Sequence, residues 1–159
     1  MVRYCSVMRR FLTILLLLAV LPACADGFEK GRIVKMLPLF LDLTGHDAKS
    51  PSLYDRDAYQ AYLRQHTNNI SAIRFDFLWQ VENPTATKYK LRIELRGIGA
   101  GGKPTQVMLE QAISPPLLRR WNSLTLGGAD YRSFGELVAW RATLWRGDQL
   151  LSGQKSFLW

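Results

Sequence analysis

The sequence predicts a mainly β protein: a single antiparallel β-sandwich of about seven strands, with one short helix inserted after the first strand. Residues 72–81 and 88–96 alternate apolar and polar side chains with a period of two. This pattern is typical of antiparallel strands that have one solvated face. Turn residues recur about every 8–12 positions. No regular alternation of strands with long helices is present, which disfavours a parallel α/β sheet.

The first strand is predicted over residues 32–43, RIVKMLPLFLDL, because this run is almost continuously apolar and contains branched side chains. Pro38 has no backbone N–H to donate to a ladder, so we expect it at a sheet edge or at a bulge. Residues 44–52 are rich in turn-forming residue types and separate the strand from the helix.

The helix is predicted over residues 56–65, with Asp55 as its N-cap and Tyr54 packing onto Tyr59. Apolar side chains recur at helical spacing and define one face that would lie over the sheet. That face is expected to hold Ala58, Tyr59, Tyr62 and Leu63.

The two alternating segments define their own inner faces. The inward side chains are expected to be Ile73, Phe75, Phe77, Trp79 and Val81 on the first, and Tyr89, Leu91, Ile93 and Leu95 on the second. Residues 105–113 are interpreted as a strand, although a helix is also compatible with them. Residues 121–126 are predicted to form a further short strand that ends at Gly127-Gly128.

Residues 136–159 are predicted to form a hairpin that turns at Gly147-Asp148. Trp145 then pairs with Leu150, on the face that also carries Arg141. A large aromatic side chain on a polar face is either covered by another segment, such as the helix, or exposed as a contact site. The opposite face carries Trp140, and on it Leu144 faces Leu151, Ala142 faces Gly153 and Val138 faces Phe157.

The strand pattern over residues 32–159 resembles an immunoglobulin-like fold in its architecture, without the Cys…Trp…Cys signature and its disulfide. The segments SLYDRDAYQAYLRQ and AWRATLWRGDQLL…QKSFLW together are similar to a group of small exported bacterial proteins of uncharacterised activity. The resemblance implies an exported immunoglobulin-like β-sandwich, and it implies no activity.

Residues 1–25 have the organisation of a secretory signal peptide, with arginines, the apolar run FLTILLLLAVL and then small residues. The apolar run is shorter than the roughly 20 residues that a transmembrane helix needs. Cleavage after Ala25 matches an A-x-A site and would release the protein into the periplasm or beyond. The alternative is a membrane-anchored lipoprotein, because Leu21-Pro-Ala-Cys24 resembles a lipobox that would lipidate Cys24. Pro22 is unusual in a lipobox, which favours release. Residues 26–31 are then a short leader before the domain.

Removal of the signal peptide leaves 18 of the 21 basic residues and all 13 acidic residues, a net charge of +5. In an exported protein this surplus is compatible with an envelope protein or a polyanionic glycan or lipid surface as partner, and it disfavours nucleic acid. The alternative is that the spread of basic residues only forms a solvated surface. The only cysteines are Cys5 and Cys24, so the domain has no internal disulfide and depends on apolar burial.

Several short motifs are interpreted as structural. Gly97-Ile-Gly99-Ala-Gly-Gly102 has the spacing of a dinucleotide loop, but the strand before it has a wet face, so no nucleotide or other cofactor is expected. Arg146-Gly147-Asp148 matches an integrin-binding tripeptide and is explained by the hairpin turn. His46-Asp47 and Asp55/Asp57 lack the spacing of a metal site.

The sequence therefore predicts an exported, non-catalytic binding or assembly module of the bacterial cell envelope. Its candidate surface is formed by Trp145, Leu150 and Arg141. One alternative is a small envelope enzyme that acts on glycans through Asp76 and Glu94, although ion pairs across strands explain these carboxylates more simply. Another alternative is a small outer-membrane β-barrel, because the last strand alternates and ends in an aromatic residue.

Overall fold

Seven strands form two antiparallel sheets in the computed structural model, which describes residues 30–84, 86–115 and 118–159. The strands are β1 (Lys30–Asp42), β2 (Ile70–Glu82), β3 (Tyr89–Ile98), β4 (Pro104–Ile113), β5 (Arg120–Gly127), β6 (Glu136–Arg146) and β7 (Gln149–Lys155). The helices are α1 (Leu53–Gln65) and α2 (Gly128–Phe134). Neither of these helices is long and apolar enough to cross a membrane. The predicted signal peptide, the two alternative cleavage sites and Cys24 lie outside the described residues.

One sheet has the strand order β1-β2-β5 and the other the order β4-β3-β6-β7, so the mainly β prediction is confirmed. The core lies between them, and the predicted inner faces of β2 and β3 are confirmed, because all nine side chains expected to point inward are buried. Trp79, the largest of them, satisfies its indole by donating from Nε1 to Asn122 Oδ1 of β5 at 2.8 Å. Residues 105–113, which fit either a strand or a helix, lie in strand β4.

Strand β1 is an edge strand, as Pro38 predicted. Phe40 turns its backbone N–H and C=O away from β2, and Pro38 occupies the same orientation two residues earlier. The missing N–H of Pro38 therefore removes no ladder hydrogen bond. The outward backbone groups of Ile33 are satisfied from β7: its N–H donates to Ser152 Oγ at 3.2 Å, and its carbonyl accepts from Gln154 Nε2 at 2.9 Å.

Helix α1 begins three residues earlier than predicted. Its N-cap is Ser52, whose side chain accepts from the N–H of Asp55, so the assignment of Asp55 as the cap was wrong. Tyr54 is exposed and forms no hydrophobic staple. The buried residues of the helix are Gln60 and Leu63, whereas Ala58 and Tyr62 of the predicted face are exposed.

Gln60 attaches α1 to the edge of the sheet through hydrogen bonds, where the sequence predicted apolar packing. Its Oε1 accepts from the N–H of Phe40 at 2.8 Å, and its Nε2 donates to the carbonyls of Phe40 at 2.9 Å and Asp47 at 2.8 Å. The primary amide thus pairs with β1 as a neighbouring strand would. This arrangement fixes α1 against the edge and protects that edge from pairing with other strands.

Helix α2 was not predicted, because two glycines suggested only a strand end. Gly128 and Gly135 bound the helix with φ values of +62° and +81°, which favour glycine. Phe134 is buried and packs over Gly97 of β3, where an added Cβ would lie 2.6 Å from its ring. Gly97 therefore permits the close packing of Phe134, whereas Gly128 and Gly135 permit the positive φ at the helix boundaries.

The last hairpin has the predicted turn but not the predicted register. Trp145 pairs with Leu150 as expected, and then a bulge shifts the pairing by one residue, so that Leu144 lies opposite Ser152 and not Leu151. A second bulge, opposite Arg96 and Gly97, interrupts the pairing of β6 with β3. As a result Val138 and Phe157, both expected to face inward, are exposed.

Candidate binding face of the four-stranded sheet

The outer face of the four-stranded sheet collects charged side chains because β3, its central strand, alternates. Lys90, Arg92, Glu94 and Arg96 point away from the core, as the burial of the residues between them shows. The antiparallel register places Trp145, Thr143, Arg141 and Ala139 of β6 directly opposite them, in that order. The outer face therefore brings the three predicted surface residues, Trp145, Leu150 and Arg141, together.

Basic side chains outnumber acidic ones on this face. Glu94 accepts from Arg141 Nε at 3.0 Å, and Glu110 of β4 pairs with both Arg92 and Lys90. The basic residues are Lys90, Arg92, Arg96, Arg141 and Lys155, and the acidic residues are Glu94 and Glu110. The ion pairs hold the guanidinium groups in place, and an excess of positive charge remains.

Trp145 is half-buried on this face. Its Nε1 donates to Thr143 Oγ1 at 2.8 Å, and the guanidinium carbon of Arg92 lies 5.0 Å from the centre of its ring. Thr143 is only 6% exposed although it is on the outer face, and the neighbouring indole accounts for this burial. Helix α1 contacts β1 of the other sheet, so it does not supply the cover that the sequence suggested as one possibility.

Trp159 adds a second indole that the sequence did not assign to this face. After β7 the N–H of Ser156 donates to the carbonyl of Trp140 at 2.9 Å, and the chain then turns. The ring of Trp159 comes to lie 4.0 Å from the guanidinium carbon of Arg96 and 4.9 Å from that of Arg141. Ala139, opposite Arg96, is only 2% exposed, as expected if this ring covers it.

The two tryptophans border a shallow groove of about 530 Å³ that also contains Leu150, Gln154 and Lys155. Indole rings offer flat apolar surfaces, and guanidinium groups form paired hydrogen bonds with carboxylates, phosphates and sulfates. The groove can therefore hold a ligand that has both apolar faces and negative charges.

Asp76 and Glu94, the carboxylates of the enzyme alternative, lie in different sheets. Asp76 of β2 pairs with Arg74 at 2.9 Å and accepts from Ser123 Oγ at 2.7 Å, on the outer face of the three-stranded sheet. Glu94 lies on the outer face of the other sheet with Arg141. The core separates the two carboxylates, so they cannot act together on one glycosidic bond.

Asp42 is a buried carboxylate with many partners, and its role is structural. It accepts from Tyr59 Oη at 2.7 Å, from Lys49 Nζ at 3.2 Å, from the N–H groups of Thr44 and His46 and from the hydroxyl of Thr44. Burial acts to raise its pKa, but these hydrogen bonds together hold the pKa well below its usual range. The cluster organises the loop from β1 to α1. Hydrogen bonds with Tyr59 and, to a smaller extent, with Asp42 raise the pKa of Lys49.

The remaining motifs lie in turns. Ala100–Gly102 forms a single 3₁₀ turn between β3 and β4, with positive φ at Gly101 and Gly102, and not the start of a helix that a phosphate-binding loop requires. Gly147 has φ of +55° in the β6–β7 turn. Asp47 pairs with Arg74, and Asp55 accepts from Ser50 Oγ.

Pairing between strands explains why part of this face escaped sequence analysis. Alternation assigns Arg92 and Arg96 to a wet face, but only the observed pairing of β3 with β6 brings them to the tryptophans. No protein-family model, curated protein or solved structure matches the chain.

Proposed function

We propose that the protein is an exported, non-catalytic binding module that holds a polyanionic glycan of the bacterial envelope on the outer face of its four-stranded sheet. One observation carries this proposal: two half-buried tryptophans, Trp145 and Trp159, are flanked by guanidinium groups in a groove with excess positive charge. Sugar rings have apolar faces that stack on indoles, and acidic sugars carry the negative charge that the groove complements.

Organisation of the groove supports a glycan over a flat lipid surface. Trp145 and Trp159 lie on the sheet, not at the tip of a projecting loop, and the Arg92 and Arg141 side chains are restrained by ion pairs. A restrained site loses little side-chain entropy when an extended ligand binds. A surface that presents both aromatic and cationic groups suits an acidic glycan, whose sugars have apolar faces and negative charges.

The sheet composition supports the finer proposal of an immunoglobulin-like topology. The constant type of that fold has strands A, B, E and D in one sheet and C, F and G in the other. Here β1, β2 and β5 form one sheet, and β3, β6 and β7 lie in the other with β4 added beside β3. We infer the same architecture with its fourth strand transferred to the second sheet. Export rests on the signal-like N-terminal sequence.

The test is calorimetric titration with tetragalacturonate, an acidic tetrasaccharide, at low ionic strength. We expect saturable binding that weakens as salt is raised, and much weaker binding of the neutral maltotetraose. Trp145→Ala and Arg141→Ala should each weaken the affinity about tenfold or more, as central aromatic and arginine contacts do.

The matched control is Lys103→Ala, which removes an exposed positive charge from the β3–β4 turn, away from the groove. We expect it to change neither affinity nor stability by more than about 0.5 kcal/mol. Equal binding of both tetrasaccharides, or equal losses in Lys103→Ala and Arg141→Ala, would refute the proposed surface.

A further inference from the structure

A second concave site lies at the open side of the sandwich, away from the outer-face groove. It is a cleft of about 790 Å³ between the second half of β1, the end of α1, helix α2 and the start of β6. Its volume is in the range of small-molecule sites. Its lining includes both apolar side chains and arginines.

The cleft exists because β7 covers only the first half of β1. At that end the two strands are close: an added Cβ at Gly31 would lie 2.8 Å from Leu151, and Ile33 bonds to two β7 side chains. Further along, β7 ends at Lys155, and the edge of β1 from Pro38 onward faces the start of β6 across a gap. The floor of the gap is continuous with the core, because Phe40 and Leu137, which line the gap, pack against the core residues.

The lining separates into an apolar part and a charged part. Pro38, Phe40, Ile70, Tyr131 and Leu137 supply apolar and aromatic surface. Arg64 and Arg132 are exposed, and no carboxylate in the described part of the chain lies within ion-pair distance of either guanidinium. Arg64 instead lies over the ring of Phe40, at 5.8 Å, so one cation borders the apolar surface directly.

An added β-strand does not suit this gap, although unpaired edges often recruit one. Pro38 has no N–H to offer, and both backbone groups of Phe40 are already bonded to the amide of Gln60. An incoming peptide would find few free groups along this part of β1. The chemistry of the lining favours a ligand that needs apolar contact and one negative charge.

We propose that this cleft binds a single-chain amphiphile with an acidic head group, the chain lying on Phe40 and Leu137 and the head group at Arg64 and Arg132. Guanidinium groups bind carboxylates and phosphates through charge-assisted hydrogen bonds. Tyr131 is partly buried, and burial raises the pKa of its hydroxyl, which stays protonated at neutral pH and can donate to the same head group. Glu136 also borders the cleft and sets a limit on affinity by repelling an anion.

The experiment uses laurate and dodecyl phosphate, both below their critical micelle concentrations, in calorimetric titrations of the protein from residue 26 onward. The comparison ligands are dodecanol, which is neutral, and dodecyltrimethylammonium, which is cationic; both have twelve-carbon chains. We expect saturable one-site binding of at least one acidic ligand, and at least tenfold weaker binding of the other two. Preference between laurate and dodecyl phosphate distinguishes a carboxylate head group from a phosphate.

Three variants locate the site. Arg64→Ala combined with Arg132→Ala should weaken binding of the acidic ligand about tenfold or more, whereas Glu136→Gln should strengthen it. Trp145→Ala, on the other face, should leave it unchanged, so this test is independent of glycan binding. Thermal melts confirm that each variant is folded. No saturable binding, equal binding of dodecanol, or an unchanged affinity in the double arginine variant would overturn the proposal.

Discussion

The carboxylate of Asp42 connects the end of β1 to the loop and to helix α1, through Thr44, His46 and Tyr59. A buried charge is tolerated only when such partners replace its hydration. Hydrogen bonds to a charged group contribute more than those between neutral groups, roughly 1.5–3 kcal/mol each. Sequence patterns alone did not reveal this role, because Asp42 lies near the end of an apolar run and its partners come from the following loop and from helix α1.

Asp42 should make the stability of the protein sensitive to acid. Folding lowers its pKa below the roughly 3.9 of an unfolded chain, so its contribution is present above about pH 4 and is lost as the pH falls below that value. We expect Asp42→Asn to be about 2–3 kcal/mol less stable than the wild type at pH 7. Its free energy of unfolding should also decline less steeply than that of the wild type between about pH 5 and about pH 2. Urea unfolding across this range measures both effects.

The control for that experiment is Asp57→Asn, which changes an exposed carboxylate at the start of α1 that pairs with Arg56 Nε at 4.0 Å. Its pH dependence should match that of the wild type. A decline in Asp42→Asn as steep as in the wild type would show that the carboxylate is not the group that titrates.

Trp140 and Trp145 give a second prediction at this scale, because they lie on opposite faces of β6. Trp140 packs against the core, whereas Trp145 contacts Thr143 and Arg92 outside it. Trp140→Ala should cost about 3 kcal/mol or more through the cavity it leaves. Trp145→Ala should cost about 1–2 kcal/mol through its cation–π and hydrogen-bond contacts. Equal losses in urea unfolding would place Trp145 in the core and remove the basis for the groove.

At the scale of elements, period-two alternation predicted β2 and β3 well because one face of each strand is buried and the other is wet. It failed where local geometry overrides the period. Bulges in β6 and β7 shift the register by one residue and so expose Val138 and Phe157. Helix α2 escaped prediction because it is short and its boundary glycines also fit a turn.

Helix α1 shows how a polar side chain can replace an apolar face. Gln60→Glu should cost about 2–3 kcal/mol, because a carboxylate cannot donate to the carbonyls of Phe40 and Asp47 and leaves both without this partner. Urea unfolding gives the loss. Gln65→Glu, an exposed change at the end of the same helix, is the matched control and should differ little from the wild type. A similar small effect for both variants would mean that Gln60 does not fix the helix to β1.

At the scale of the whole molecule, the proposed function requires that the protein be exported to the envelope. We predict release after Ala25, because the A-x-A match is complete and Pro22 is unusual in a lipobox. Intact-mass measurement of the protein recovered from cells should give a chain that begins at Asp26. A diacylglyceryl-modified Cys24 at the N-terminus would contradict release and place the module on a membrane.

The two outer faces of the sandwich differ in a way that favours the four-stranded sheet as the proposed binding face. On the three-stranded sheet Trp121 is 48% exposed, opposite Leu78, and Arg74 is neutralised by Asp47 and Asp76. On the four-stranded sheet two indoles lie among excess cations. The sequence predicted Trp145 as the centre of a surface but not Trp159, whose place depends on the chain turning back after β7.

The most direct test is an ¹⁵N–¹H spectrum of the indole N–H groups during titration with tetragalacturonate. The chain has five tryptophans, which lie in the core and on both outer faces of the sandwich. Trp145 and Trp159 lie in the groove, Trp79 and Trp140 contact the core, and Trp121 lies on the opposite outer face. We predict that the resonances of Trp145 and Trp159 shift together and saturate while the other three stay in place. A shift of Trp121 with no change at Trp145 and Trp159, or no shift of any indole, would contradict the proposed binding face.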